Sequence, residues 1–288
     1  MSPRQQTVSP APPRLDISLA GPLVLVDADN TLWDTDGVFA RAQLSLLLAV
    51  ENAVGRHSQA ESRLDYVRSF DQALAEQHHL GLRYPPRLLI QALAFALQDV
   101  PQQEAVRRAW SDGTQSGVAS ETVSQIERAF FDIIAVHPDL LPGVVAGLSD
   151  LNAAGATTIV LTEGSRKRVM RTIDHHGLGR FIDRIFEAPK TLRMFERVKS
   201  LAGSGQTIYM IGDQLTRDIR PANEAGLKTI YIPGAFQPKW EQQAGNVTTF
   251  QAETFDAATS FLLRAEEETR PPQKDSGKPS YLRVQNRT

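Results

Sequence analysis

The chain has 288 residues, 41% of them hydrophobic and 22% charged, with a formal net charge of −2. That is enough apolar material for one large core or two modest ones, and the near balance of 31 basic against 33 acidic residues excludes a chain built mainly to neutralise nucleic-acid phosphates. There is no cysteine, so thiol catalysis, disulfides and iron–sulfur clusters are excluded.

Residues 1–18, rich in Pro, Ser and Gln with no apolar central segment, read as a disordered arm and not as a secretory leader. The first strand signal is "LVLV" at 23–26, an apolar run suited to a strand buried on both faces and far too short to span a bilayer. A cytoplasmic protein with no membrane and no nucleic-acid partner is the expectation. From 34 to 136 the texture is helical throughout. The segments 38–55, 88–98 and 122–136 carry apolar residues at spacings of three and four, and no strand interrupts them.

From Leu141 helices and strands alternate. The helix 143–155 leads to the strand "TTIVLT" (157–162), the helix 165–177 to "RIFEA" (184–188), the helix 191–203 to "TIYMIG" (207–212), and the helix 216–226 to "KTIYIPG" (228–234). Gly155, Gly177, Gly203 and Gly226 each stand where a helix should stop. Such alternation predicts an α/β fold, a parallel sheet with helices on both faces. The expected organisation is a Rossmann-like core over 19–33 and 137–268, an inserted all-helical domain over 34–136, and a disordered tail over 269–288.

Ligands of an open α/β sheet bind at the carboxyl ends of its strands. Asp27 and Asp29 end the first strand, Thr162 and Glu163 the second, and Gly212 and Asp213 the fourth, with Asp218 a turn further on. Two close carboxylates resist joint ionisation unless a cation joins them or one keeps a proton. A third acid from another strand, with no His or Cys beside it, suits Mg²⁺ better than zinc. Helix caps and turn residues are the plainer reading of any single Asp; the matched set at three strand ends is what carries the chemical one.

"DADNTLW" (27–33), "VLTEG" (160–164), Lys190 in "FEAPKTLRMF" and "IGDQLTRD" (211–218) resemble, in order and spacing, the four motifs of the haloacid dehalogenase-like hydrolase superfamily. The helical insert is similar to the family's C1-type cap. The resemblance implies a sheet order 5-4-1-2-3 and a Mg²⁺-dependent phosphatase acting on a small phosphorylated metabolite. It implies Asp27 as nucleophile and Asp29 as general acid/base. The metal would be held by Asp27, Asp213 and the backbone carbonyl of Asp29, with Asp218 in support of metal or lysine. Thr162 and Lys190 would contact the phosphoryl group, and Asn30, Thr31, Glu163 and Gly164 would line the substrate. Lys199, late in its helix, is the rival for the lysine role. Glu163 departs from the uncharged residue many relatives carry, and is expected to turn away, to meet Arg166 or Arg168, or to bind a polar substrate group.

The family's dehalogenases need no metal and normally lack the second acid of the first motif, so Asp29 disfavours that alternative. Its phosphonate-cleaving members use a cap lysine, and the first lysine of this chain is Lys167. A catalytically silent binding protein on the same scaffold is the other alternative. Arg166, Lys167 and Arg168 fall in one helix's first turn, against the helix dipole, so a nearby anion would offset them. Arg83, Arg87 and Arg107 are candidate substrate contacts from the helical insert. Trp110, Phe130, Phe131 and Phe95 are expected to pack its core, and Trp33 and Phe39 either to do so or to line an entrance. The pairs His78–His79 and His175–His176 do not make a zinc site, and His57 and His137 are expected on the surface.

Overall fold

The computed structural model describes residues 21–77, 84–112, 116–202, 205–237, 241 and 250–269. The amino-terminal arm, His78–His79, Arg83, Gly203 and the carboxyl-terminal tail lie outside the described residues.

Strand β1 (Leu23–Val26) is buried at every position and runs between two parallel neighbours, β2 (Thr157–Thr162) and β4 (Ile208–Gly212), with Val26 opposite both Val160 and Ile211. Its side chains alternate between two cores, as a period of two requires. Val24 and Val26 pack with Val144, Leu148, Val169, Ile173, Phe255 and Leu262 on one face; Leu23 and Leu25 pack with Ile159, Met210, Phe195 and Ala222 on the other. Each such side chain contributes about 1.5–3 kcal/mol by leaving water. With β3 (Arg184–Glu187), β5 (Lys228–Tyr231) and β6 (Phe250–Gln251) the sheet reads β3-β2-β1-β4-β5-β6, all parallel. Five strands fall in the expected order. The sixth was not expected, because two residues are too few to show a period in the sequence.

Between β1 and β2 the chain forms α1 (Thr35–Val54), α2 (Arg63–Gln77), α3 (Pro86–Ala96), α4 (Gln102–Asp112) and α5 (Ser120–Ile134) before α6 (Val144–Ala153) rejoins the sheet. The Asp34 side chain caps α1 by accepting the Gly37 N–H at 2.7 Å, and Gly55, at φ 72°, ends it. Five helices bury a core of their own, which includes Leu47, Phe70, Ile90, Leu93, Phe95 and Phe130. By length and composition α1 is apolar enough to cross a membrane, with a mean hydropathy of 1.2. It packs in this block along one face, which carries Gln43 and Glu51 as well as Leu46, Leu47 and Val50. The two crossings into the block run side by side. Trp33 bridges Leu140 in antiparallel fashion, Asp34 N–H donates to Asp139 O at 2.8 Å, and Leu141 N–H to Leu32 O at 3.1 Å.

After β2 come α7 (Arg166–His175), α8 (Leu192–Leu201), α9 (Arg220–Glu224) and α10 (Phe255–Thr269). The expected helix 216–226 is two pieces. Residues Leu215–Ile219 form a wide π-turn, and α9 follows with Pro221 in its first turn. The wide turn lets the Asp218 carboxylate fold back to accept the Gln214 N–H at 3.0 Å.

Candidate active site

Four chain segments meet at the carboxyl edge of the sheet. Asp27 continues β1 by one residue, its N–H donating to Ile211 O at 2.9 Å, and Asp213 directly follows β4. One carboxylate oxygen from each of Asp27, Asp213 and Asp218 lies within 4.8 Å of the others. All three residues are buried. Gly212 permits this: a Cβ there would lie 2.4 Å from Asp218 Cγ. Lys190, also buried and just past β3, donates through Nζ to Asp27 Oδ1 and, at 2.5 Å, to Asp218 Oδ1. Lys199, the rival, is far along α8 with its Nζ on Ala225 O.

One lysine does not balance three buried acids. Burial, opposed by Lys190 and reinforced by Asp218 and Asp29, pushes the Asp27 pKa up to about 7. Burial and the neighbouring Asp27 and Asp218 charges raise Asp213 well above the usual carboxylate range. Lys190 is held firmly charged, because Asp218 and Asp27 outweigh the cost of its burial. Asp213 Oδ1 is buried with no hydrogen-bond partner among the described residues. A buried, unpartnered anionic oxygen is costly unless a cation meets it. Hard oxygens with no nitrogen or sulfur ligand fit Mg²⁺.

The third carboxylate of this cluster is Asp218 and not Asp29. Asp29 Oδ1 accepts from the Trp33 indole at 3.1 Å and from Thr35 Oγ at 2.6 Å. Its Oδ2 faces Gly164, whose Cβ position would be 3.6 Å from it and 3.2 Å from Thr162 Oγ1. Thr162 is buried, and its hydroxyl accepts the Gly164 N–H at 2.9 Å. Asn30 and Thr31, expected to line the substrate, spend their N–H groups closing the turn, on Trp33 O at 2.8 Å and Ala28 O at 3.4 Å. Asn30 holds a left-handed φ of 59°, and its Oδ1 accepts the Asp36 N–H at 2.8 Å. The Thr31 hydroxyl is buried without a partner among the described residues.

Glu163 meets neither Arg166 nor Arg168. Its Oε1 accepts the Lys190 N–H at 2.9 Å, and its Oε2 pairs with Arg217. It thus fixes the backbone that carries Lys190, and it is held there by Arg217, a residue whose role has no local signal in the sequence. The anion at the start of α7 is also internal: Glu187 accepts the Arg166 N–H at 2.7 Å. Of the arginines expected to reach in from the helical block, Arg87 lies 3.6 Å from Glu127 and Arg107 pairs with Glu104, both exposed, so neither reaches the site. Phe95 and Phe130 are core residues as expected, whereas Phe131 and Trp110 are 47% and 37% exposed. His57 leans on the buried Glu51 at 3.3 Å, and His137 stacks on His175 with ring centroids 4.4 Å apart. Both therefore have partners that no local pattern announces.

A cavity of about 700 Å³ opens beside Asp29 and Gly164 and runs up between the sheet edge and the helical block. Trp33 and Phe39 both line it, and both also pack in cores.

A parallel sheet in this order, with acids and a lysine gathered at its carboxyl edge, defines a Rossmann-like α/β enzyme core. The model of the haloacid dehalogenase-like hydrolases matches residues 22–226, and the chain belongs to that family. Solved structures agree at the level of the fold. YfnB from Bacillus subtilis, described as a HAD-hydrolase and solved bound to magnesium, is 18% identical with a TM-score of 0.54, covering 84% of this chain and 99% of its own. A haloacid dehalogenase-like family hydrolase from Xanthomonas campestris is 16% identical with a TM-score of 0.55, over 87% and 98%. A Haemophilus somnus protein described as a predicted phosphoglycolate phosphatase is 17% identical with a TM-score of 0.51, over 84% and 98%. No curated protein sequence matches the chain.

Proposed function

We propose that the protein is a Mg²⁺-dependent phosphatase of an organic phosphomonoester, working through an aspartyl-phosphate on Asp27, with the helical block over 34–136 acting as its cap. The observation that carries this reading is the cluster of Asp27, Asp213 and Asp218 around one lysine, with an unpartnered oxygen on Asp213. A metal-free dehalogenation has no use for Asp213 in that state, and a silent binding protein has no use for a nucleophile held this way. Likeness in fold to YfnB, solved bound to magnesium, and to the Haemophilus somnus protein described as a predicted phosphoglycolate phosphatase supports the reading.

Lys190 occupies Asp27 Oδ1, which orients the carboxylate and leaves Oδ2 for attack on phosphorus. As the Asp27–phosphorus bond forms, the ester P–O bond breaks and Asp29 Oδ2 delivers a proton to the leaving oxygen. Asp29 then takes a proton from the water that attacks the aspartyl-phosphate, which returns both residues to their starting state. Trp33 and Thr35 hold the other Asp29 oxygen and so fix the direction of that transfer. The Thr162 hydroxyl and the Lys190 ammonium face the charge that builds on the phosphoryl oxygens. Asp27, Asp213 and the Asp29 carbonyl would hold Mg²⁺, which supplies neutralisation of the phosphoryl charge when bound.

Phosphate release from an aryl phosphate, with and without Mg²⁺, tests the proposal. Turnover that needs the metal and vanishes in Asp27→Asn supports it. Turnover that survives either change rules it out.

A further inference from the structure

Phosphatase chemistry at Asp27 leaves the alcohol half of the substrate unassigned, and any assignment of that half rests on the phosphatase reading. The cavity beside Asp29 is about 700 Å³, within the range that encloses drug-sized molecules and far beyond what a two-carbon alcohol fills. Its walls are mostly aromatic and aliphatic. Phe39 meets Phe130 edge-on at 6.5 Å, and Phe130 meets Phe131 at 6.1 Å, which makes a run of rings along one side. Phe131 remains 47% exposed although it borders a pocket, which leaves apolar surface for a ligand to cover.

Arg168 stands in the same lining. Its guanidinium makes no ion pair or hydrogen bond among the described residues, and Nη2 is buried without a partner. Arg168 is half-buried, so part of its guanidinium keeps water, and the inward Nη2 is where an anion would gain most. The nearby acids are otherwise engaged. Asp71 is bonded by the Tyr84 hydroxyl and by Gln43, Asp29 Oδ1 by Trp33 and Thr35, and Glu187 by the Arg166 amide. The start of α7 is thus already filled by Glu187, and among the described residues lining the cavity the positive charge is that of the Arg168 side chain. Gln43, opposite, keeps a buried carbonyl oxygen without a donor.

We propose that the substrate is an aryl or comparably apolar phosphomonoester that carries a carboxylate away from the phosphate. Its ring lies along Phe39, Phe130 and Phe131, and Arg168 binds the carboxylate and sets specificity. An Arg–carboxylate pair in such surroundings is directional and strong compared with one in open water.

The test uses 4-carboxyphenyl phosphate, phenyl phosphate and phosphoglycolate as substrates of the full chain and of Arg168→Gln. The expected result is a higher kcat/KM on 4-carboxyphenyl phosphate than on phosphoglycolate. In Arg168→Gln, KM for the carboxyphenyl ester rises about tenfold with kcat nearly unchanged, while phenyl phosphate is unaffected. Equal losses on both aryl esters, or a preference for phosphoglycolate, overturn the proposal. Binding of the same esters to Asp27→Asn by calorimetry separates this proposal from the reaction it rests on. If the wild type hydrolyses none of them, the reaction is wrong, and the pocket is judged on affinity alone. Tighter binding of 4-carboxyphenyl phosphate than of phosphoglycolate, lost with Arg168→Gln, sustains it; equal binding sinks it.

Discussion

Glu51 in the helical block and Asp213 at the sheet edge are both buried acids, and they are treated in opposite ways. Glu51 Oε1 accepts from Ser58 N–H and Arg63 Nη1, each at 2.9 Å, and Oε2 from Arg63 Nη2 at 2.8 Å, with His57 at 3.3 Å. Burial pushes its pKa up, but the Arg63, Ser58 and His57 hydrogen bonds prevail and the net shift is downward. Asp213 is buried too, in the company of two further carboxylates, and one of its oxygens has no partner among the described residues. A buried acid that is fully met by its own chain holds structure. One left open among like charges is kept for something that arrives later.

Substitution of each acid in turn gives the sharpest contrast. Asp213→Asn should lower phosphate release by about a thousandfold or more. In the metal-free protein it should leave the thermal midpoint unchanged or higher, since an acid that burial and its neighbours hold back from ionising is replaced by a neutral amide of the same shape. A drop in the midpoint would erase the distinction. Glu51→Gln should do the converse, costing about 1–2 kcal/mol in urea unfolding because its charged hydrogen bonds to Ser58 and the partly exposed Arg63 are weakened, while kcat of the folded fraction stays at the wild-type level. A neutral result would mean that the block does not depend on this pair.

Addition of Mg²⁺ should stabilise the wild type by about 2.7 kcal/mol at one hundred times its dissociation constant, and should do nothing for Asp213→Asn. The two regions should also part with pH. Asp27 is raised from 3.8 to about 7 in the folded state, so the folded form holds a proton that the unfolded form has lost. Its contribution to metal-free stability therefore falls as pH rises between those values, and Mg²⁺ should restore it. Glu51 is depressed in the folded state, so its contribution is present at neutral pH and is lost as pH falls below the usual carboxylate range. Melting curves at pH 5 and pH 7.5, with and without metal, would separate the two. The smallest effect is at the helix start: Asp34→Ala removes the cap on Gly37 and should cost about 1 kcal/mol.

Much of the fold is legible in the sequence because local rules govern it. The buried run at 23–26 announces β1, and Gly155 and Gly226 mark helix ends with φ of 71° and 79°. The acids at strand ends are legible because topology alone brings strand ends together. What stays hidden depends on partners far apart in the chain. Glu163 is 54 residues from Arg217, and nothing near either one names the other. The π-turn at Leu215–Ile219 hides for a related reason, since its sequence period is that of an ordinary helix and it is set apart by backbone bonds spanning five residues, Ile219 N–H to Gln214 O at 3.2 Å and Arg220 N–H to Leu215 O. Phe131 and Trp110 follow the helical spacing of core residues, yet lie at the margins of the block, where periodicity does not say how far the core extends.

The paired crossings at Trp33 and Leu140 have a kinetic meaning. Because the segments entering and leaving the helical block are bonded to each other, that short ladder is where any swing of the block would pivot. Trp33 and Thr35, at that pivot, are also the two residues that grip Asp29. If the block swings there, Trp33 and Thr35 stay with the pivot, so the carboxylate they grip keeps its aim whether the block stands open or closed. In the phosphatase proposed above, the acid would then be aimed before the block closes, and closure would serve to exclude water.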